Sequence, residues 1–400
     1  MADRAGPSSH EWFWHPDVVQ AVSPRGVLDL GPGYLEPGLL PVDLLREGCS
    51  RALAEYGSAA LTYGTNAGAV PLREALAARV AAADGVPCGP DQVLVTAGTS
   101  YGLNVLTTTS TVAGQVVFVD ETSYDFGRRI FTDHGLVTRE VPSDSEGMDP
   151  HALRAGVERE RAAGREPGFV YLTPTFHNPT GRLVGAARRR ELVEVAADLG
   201  VLVVEDDAYA ELDLDGGELP RSLGGIADHE GVVRFGTFSK TVGPGLRLGW
   251  MVAHPAVVAR FADRGLLVSG GSANHVTSLA VEELIRGGDY DRHLGWLRDR
   301  LRERRDALVE AVAVEFGDRV EFTAPRGGFF AWLTFPGDSE AVVLAAAERA
   351  GVQVAAGSRF GSATNAVRLA YSFNPPEALA AAVTRLAAAM PAHAHHSSRS

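Results

Sequence analysis

Lysine is almost absent from this chain. Lys240 is the only one in 400 residues, and arginine supplies the other 36 of the 37 basic side chains. Arginine replaces lysine wherever only surface charge is needed, but a guanidinium stays protonated and cannot attack a carbonyl. A solitary lysine therefore points to nucleophilic chemistry, most simply a Schiff base; the plain alternative is a surface lysine that survived by chance. Cysteine is nearly as scarce. Cys49 and Cys88 alone exclude a disulfide framework and a cysteine metal cluster. No apolar run approaches the roughly 18 residues of a membrane span, and the stretch MADRAGPSSHEWFWHP lacks the apolar core of a signal peptide. The expected location is the cytoplasm, without a membrane partner. A net charge of −13 argues against nucleic acid as the main partner. No metal site is expected, and the tail HAHHSSRS reads as a disordered end.

What is present is ample apolar residue, 45% against 22% charged, enough for a full core. The length suggests two or three structural units. From about residue 92, β-branched runs alternate with alanine-rich helical stretches. The runs are QVLVTA, QVVFVD, GLVTREV, GFVYLTP, GVLVVED, GVVRFGTF and RLGWMVA. Between them lie patterns such as GAARRRELVEVAADLG (185–200), with apolar residues at helical spacing and a glycine stop. Strands apolar on both faces, alternating with helices, indicate an α/β fold with a mostly parallel sheet covered on both sides. Beyond residue 285 a long charged helix leads into VEFTAPRGGFFAWLTF, a further helix and VRLAYSF, a smaller α+β unit. The expected division is an N-terminal segment over 1–60 that joins the small unit, a large unit over 61–285 and a small one over 286–400.

In open α/β sheets ligands bind beyond the carboxyl ends of the strands. There VLVTAGTSYGL places Gly98, Thr99 and Ser100 between a strand and a helix, where backbone N–H groups and hydroxyls are free to hold a phosphate; such turns are also common without a ligand. GVLVVEDDAYAEL ends a strand with Asp206 and Asp207, then Tyr209, although an aspartate there is often only a helix cap. VYLTPTFHNPTGR sends Asn178 off another strand end, which equally suits a plain Asn-Pro turn. Arg368 lies on the apolar run VRLAYSF and needs a partner, either an anionic ligand or an internal carboxylate.

These pieces match what pyridoxal phosphate needs: a lysine for the aldehyde, a carboxylate for the ring nitrogen, donors for the ring oxygen and a cradle for the phosphate. From about residue 28 to 385 the chain resembles the class I/II aminotransferases of fold type I, with the texture of the aminoadipate and aromatic aminotransferases and of the aminotransferase-like half of MocR regulators. The segments carrying the resemblance are, in order, DLGPGYLEPGLLP, YGTNAGAVPLREALA, VTAGTSYGL, PTFHNPTG, EDDAYAEL, TFSKTVGPGLRLGW and RLAYSF. The resemblance implies a seven-stranded large domain and a smaller α+β domain, with pyridoxal 5′-phosphate as cofactor. By it, Lys240 forms the Schiff base and shuttles a proton, Asp206 pairs with the pyridinium nitrogen, and Asn178 and Tyr209 hydrogen-bond the ring oxygen. Tyr124 stacks on the ring, although on spacing alone it reads equally as a core aromatic. The phosphate sits on Thr99 and Ser100, with Thr237, Ser239 and Arg247 completing the cradle beside Gly98. Arg368 takes the substrate α-carboxylate, and Gly33 lines the substrate side. Tyr63 reaches the phosphate of a neighbouring subunit, which implies a homodimer with shared active sites.

Two departures stand out. Many close relatives carry glutamines after the phosphate-loop serine, where this chain reads Thr99-Ser100-Tyr101, and His177 precedes Asn178 where relatives often have glutamine. An imidazole beside the ring oxygen either donates a proton or does nothing, and the second is favoured. The segments that would recognise a substrate side chain, PGYLEPG and VSGGSANHVTSLA, follow no readable code. No second arginine is clearly placed for a side-chain carboxylate, against a strict aspartate enzyme. The leading function is amino-group transfer between an α-amino acid and a 2-oxo acid. The alternative uses the same site for elimination, replacement, decarboxylation or oxidation in specialised metabolism. A MocR-like regulator would need a basic winged-helix domain ahead of the aminotransferase part, where only about 27 residues stand.

Overall fold

The computed structural model describes residues 26–391. Both MADRAGPSSHEWFWHP and HAHHSSRS lie outside the described residues. Contacts divide the chain into two units. The larger holds Pro37–Arg300 with Pro325–Gly328; the smaller ends its first segment at Glu36 and takes up Leu301–Ala324 and the described residues from Phe329 onward.

The larger unit is built on seven strands: β1 Val93–Thr96, β2 Val116–Asp120, β3 Val137–Val141, β4 Pro167–Leu172, β5 Leu202–Asp206, β6 Val232–Thr237 and β7 Gly249–Val252. They correspond to the seven runs read from the sequence. Their order across the sheet is β1-β7-β6-β5-β4-β2-β3. All neighbours run parallel except β7, which is antiparallel to both β1 and β6. The sheet is thus mostly parallel, as expected.

Period-two alternation splits the central strands β2, β4, β5 and β6 between two cores, because successive side chains leave opposite faces. Val117, Val119, Phe169, Tyr171, Val204 and Phe235 pack with Leu103, Leu106, Phe131 and Phe261 on one face. Val116, Phe118, Val170, Leu172 and Val203 pack with Leu153, Val157, Leu192 and Ala196 on the other. Both faces are therefore dry, which is why these strands read as unbroken apolar runs rather than alternating ones. Truncating a centrally placed ring such as Phe235, 0% exposed, would cost about 3–5 kcal/mol in lost transfer energy and cavity. The helix Ala186–Leu199 covers one face and ends at Gly200 in the left-handed region (φ 61°, ψ 36°), the stop its sequence announced.

The smaller unit carries a three-stranded antiparallel sheet, Phe330–Thr334, Ala366–Ala370 and Ala355–Ala356, with Ala366–Ala370 in the middle. Leu28–Asp29 pairs in parallel with Val352–Gln353. The helices Glu340–Arg349 and Pro376–Ala389 complete it. The 28-residue helix Asp289–Phe316 contributes its first turns to the larger unit and the rest to the smaller. No helix among the described residues is long and apolar enough to cross a membrane.

Candidate active site

Strand topology gathers the candidate residues of the larger unit at one edge of the sheet. The parallel strands β1, β2, β4, β5 and β6 all finish there. The reversed strand β7 begins there, with Gly249 in register with Thr96 on one side and Thr237 on the other. Arg247, two residues before Gly249, is thereby delivered beside the turn that follows Thr96. A single antiparallel strand thus joins the two halves of a cradle.

In that cradle Gly98 (φ +83°) turns β1 into the helix Thr99–Ser110. Arg247 sits in the left-handed region (φ 46°, ψ 51°) and its Nη2 donates to Ala97 O at 2.9 Å. The Thr99 hydroxyl is buried without a hydrogen-bond partner among the described residues, and Ser100 is exposed at the helix start. From β6, the Thr237 and Ser239 hydroxyls lie 2.9 Å apart, and the Ser239 N–H donates to Thr237 Oγ1 at 3.1 Å. Lys240 closes the short turn Phe238–Lys240, its ammonium nitrogen 5.5 Å from the centroid of the Tyr209 ring.

Asp206 ends β5 and is buried. Its Oδ2 accepts the Tyr171 hydroxyl at 2.8 Å, while its Oδ1 is buried with no hydrogen-bond partner among the described residues. Burial pushes its carboxyl up to about 6; the Tyr171 hydrogen bond opposes this, Asp207 adds to it and Lys240 opposes it. Asp207 faces a different partner. Arg234 of β6 binds Asp207 Oδ2 at 2.6 Å and Asp84 Oδ2 at 2.9 Å, all three side chains nearly or wholly enclosed. Glu205, 0% exposed, accepts the Leu223 and Gly224 N–H groups at 3.0 and 3.1 Å, with Arg189 Nη1 3.8 Å away, and burial pushes it up to about 7. Three consecutive carboxylates thus have three different surroundings, and Asp206 is the one that no guanidinium of the described residues neutralises.

Asn178 is buried on the segment after β4, with a cis bond to Pro179. Arg189, 1% exposed, holds that segment: its Nη2 donates to Pro174 O at 3.1 Å and to Thr175 Oγ1 at 2.9 Å. His177 points elsewhere. Its Nδ1 lies 2.7 Å from Thr180 Oγ1 and its Nε2 is 3.8 Å from Asp120 Oδ2. Burial, helped by Arg182, holds its pKa well below the usual histidine range, so the ring is neutral. Tyr124 directly precedes the helix Asp125–Asp133 and meets Phe126 edge-on at 5.8 Å.

Within the smaller unit, Arg368 occupies the middle of the central strand, opposite Trp332 and Ala355. Its guanidinium carbon lies 4.1 Å from the Phe330 ring centroid and 4.8 Å from that of Phe360, and its Nη2 donates to Gly31 O at 2.7 Å. Gly33 abuts the same Phe330; a Cβ there would come within 3.1 Å of the ring. Gly33 and Arg368 are thus brought together through one aromatic. Tyr63 is 85% exposed.

Sequence reasoning missed Tyr171 and Arg234. The signal for Tyr171 was a phenol on a buried strand, which needs a polar partner. For Arg234 it was a lone guanidinium inside GVVRFGTF, the same sign that singled out Arg368.

Comparison with known proteins shows the family. The family model of aminotransferase class I and II matches residues 37–386. The 2-aminoadipate transaminase of Thermus thermophilus is 32% identical over 383 residues, covering 94% of this chain and 92% of that protein. The crystal structure of a multiple substrate aminotransferase from Thermococcus profundus superposes with a TM-score of 0.85 at 29% identity, covering 92% of each chain. That of the α-aminoadipate aminotransferase from Thermus thermophilus, complexed with N-(5′-phosphopyridoxyl)-L-leucine, gives a TM-score of 0.78 at 33% identity, again over 92% of each chain. The chain belongs to the class I and II aminotransferases, fold type I enzymes that use pyridoxal phosphate to move an amino group between an amino acid and a 2-oxo acid.

Proposed function

We propose that the sheet edge of the larger unit holds the cofactor, with Asp206 on the ring nitrogen, Asn178 and Tyr209 on the ring oxygen and Tyr124 against the ring. Gly98, Thr99, Ser100, Thr237, Ser239 and Arg247 cradle the phosphate. The residues present fit that group. A buried carboxylate oxygen with no partner wants a cationic donor, because an unpaired buried charge is costly. The buried Thr99 hydroxyl, likewise unpartnered, stands at a helix N-terminus, where backbone N–H groups and the helix dipole favour an anion. The open Asp206 Oδ1 is the observation that carries the reading.

When bound, pyridoxal phosphate supplies an aldehyde that condenses with amines and a protonated ring that withdraws electrons from the substrate's α-carbon. Lys240 is the one side-chain amine in the chain, so it is the group that would hold that aldehyde and, once a substrate amine had displaced it and freed Nζ, would accept and return the α-proton there. Asp206 keeps the proton on the ring nitrogen. Asn178 and Tyr209 donate to the ring oxygen and fix the ring's tilt. Arg247, pinned to Ala97 O, neutralises phosphate charge without needing to move. In the smaller unit, Arg368 receives the substrate α-carboxylate as a two-pronged pair, with Gly33 leaving room beside it.

The working protein is proposed to be a cytoplasmic homodimer in which the exposed Tyr63 reaches the partner's phosphate. Relatives named for 2-aminoadipate and for multiple substrates support a broad amino-acid specificity. The test is to mix purified protein and pyridoxal phosphate with a panel of amino acids and follow the visible spectrum. Transfer requires that an amino acid convert the cofactor to its amine form and that a 2-oxo acid reverse the change. Release of ammonia, carbon dioxide or peroxide without that cycle would overturn it. Borohydride should fix the label on Lys240, and Lys240→Arg should abolish it.

A further inference from the structure

Among the described residues, Tyr171 is the side chain that hydrogen-bonds Asp206 from inside the sheet. It stands on β4, in register with Val204 of β5, and is 1% exposed. Its ring is locked by packing: Phe131 meets it edge-on at 5.2 Å. Gly127 lets the helix Asp125–Asp133 approach so closely that a Cβ would sit 3.3 Å from the phenol carbon and oxygen and 3.3 Å from Tyr124. The hydroxyl of this immobile ring is given to Asp206 Oδ2 at 2.8 Å.

A carboxylate on a strand end can rotate about its terminal torsion. A fixed donor on one oxygen removes that freedom and leaves the other oxygen aimed. It also acts on charge. In a dry pocket beside Asp207 a carboxylate becomes basic enough to take a proton for itself, and would then meet a ring nitrogen as a neutral acid. A neutral donor favours the ionised form without bringing a competing positive charge. Burial and the Asp206 carboxylate push the phenol itself well above its ordinary range, so it remains a donor at every working pH.

We infer that Tyr171 is a positioning residue that keeps the Asp206 carboxylate ionised and its Oδ1 directed at the cofactor's ring nitrogen. This rests on the proposed pairing of Asp206 with that nitrogen. It assigns a role to a side chain that touches neither cofactor nor substrate and acts only through Asp206.

The experiment compares holoenzyme of the wild type, Tyr171→Phe and Asp206→Asn, each loaded with cofactor labelled with 15N in the ring, by the 15N chemical shift as a function of pH. Wild type should show a protonated nitrogen throughout, and Asp206→Asn an unprotonated one. Tyr171→Phe should hold the proton at low pH and lose it within the accessible range, with kcat down about 10-fold or more, as loss of a hydrogen bond to a charged group implies, and KM for the amino acid little changed. If Asp206→Asn loses the proton but Tyr171→Phe titrates like the wild type, the inference is overturned while the Asp206 pairing survives. If Asp206→Asn keeps the nitrogen protonated, the pairing itself is wrong and the inference falls with it. Should Tyr171→Phe fail to fold, Gly127→Ala presses on the same phenol without removing its hydroxyl. It must shift the nitrogen's titration in the same direction, and an unchanged titration overturns the inference.

Discussion

Gly98 and Arg247 approach so closely that a Cβ on Gly98 would lie 3.0 Å from Arg247 Nη2. The two are far apart in sequence, and they meet because β7 runs against its neighbours, so the residue ahead of it returns to the end of β1. Two constraints coincide at Gly98: a φ of +83° that side-chain-bearing residues avoid, and a guanidinium packed where a methyl would go. Gly98→Ala should therefore displace Arg247 from Ala97 O and weaken cofactor binding by about 10-fold or more, the scale of about one to three kcal/mol of backbone strain. A fluorescence titration of ligand-free protein with pyridoxal phosphate measures this; an affinity within about twofold of the wild type would refute it.

Asp206 sets a second expectation, about stability rather than binding. Its folded-state pKa of about 6 stands above the ordinary 3.8. The folded, ligand-free protein therefore holds a proton that the unfolded chain has already released. Stability from this group falls as pH rises from about 4 to 6, and the whole deficit is present at pH 8. A shift of about two units corresponds to about 3 kcal/mol. Asp206→Asn, which cannot ionise, should make the ligand-free protein about 2 kcal/mol more stable than wild type at pH 8. The gain should vanish near pH 4, while the cofactor binds less tightly. Urea unfolding at the two pH values decides it, and a variant no more stable at pH 8 contradicts the account.

Arg234 carries the third. It is the cation shared by Asp84 and Asp207. Removing one partner of a buried ion network leaves uncompensated charge and costs about 3–5 kcal/mol. Arg234→Met keeps much of the volume and strands two carboxylates, so a drop of that size in unfolding free energy is expected at pH 7. The loss should be largely recovered when Asp84 and Asp207 are also replaced by Asn, which removes the stranded charges. An equal loss in that triple variant would instead indicate packing.

The sheet was legible in the sequence for a physical reason: strands buried on both faces must be apolar at nearly every position, and such runs cannot be mistaken for amphipathic surface. The strand-end residues were legible because a turn off a buried strand leaves few places for Asp206, Asn178 or Lys240 to go. What stayed hidden was the set of partners. Arg368 was left between an anionic ligand and an internal carboxylate, and its aromatic neighbours Phe330 and Phe360 lie on other strands or turns that no local pattern connects to it. Tyr171 looked like one more large residue in an apolar run, since its hydroxyl partner lies 35 positions away. His177 could not be placed until Thr180 and Asp120 were seen beside it.

Arg368 makes the last case. A guanidinium spreads its charge over a flat, weakly hydrated surface and can rest on two aromatic faces while still presenting a fork of donors. At 4.1 Å from one ring and 4.8 Å from the other, with one nitrogen donating to Gly31 O, it is held in place by protein groups and needs little further ordering to grip a carboxylate. Lysine keeps the charge but has neither the plane nor the fork. Arg368→Lys should therefore raise KM for the amino acid by about 10- to 100-fold, the worth of a charge-assisted pair, with a smaller fall in kcat and no change in cofactor affinity. The decisive comparison is between an amino acid and the matching amine that lacks the carboxylate. Wild type should prefer the amino acid strongly, and the variant should lose most of that preference. If the preference survives the substitution, the carboxylate is held elsewhere, and Arg368 is there to pack Phe330 against Phe360.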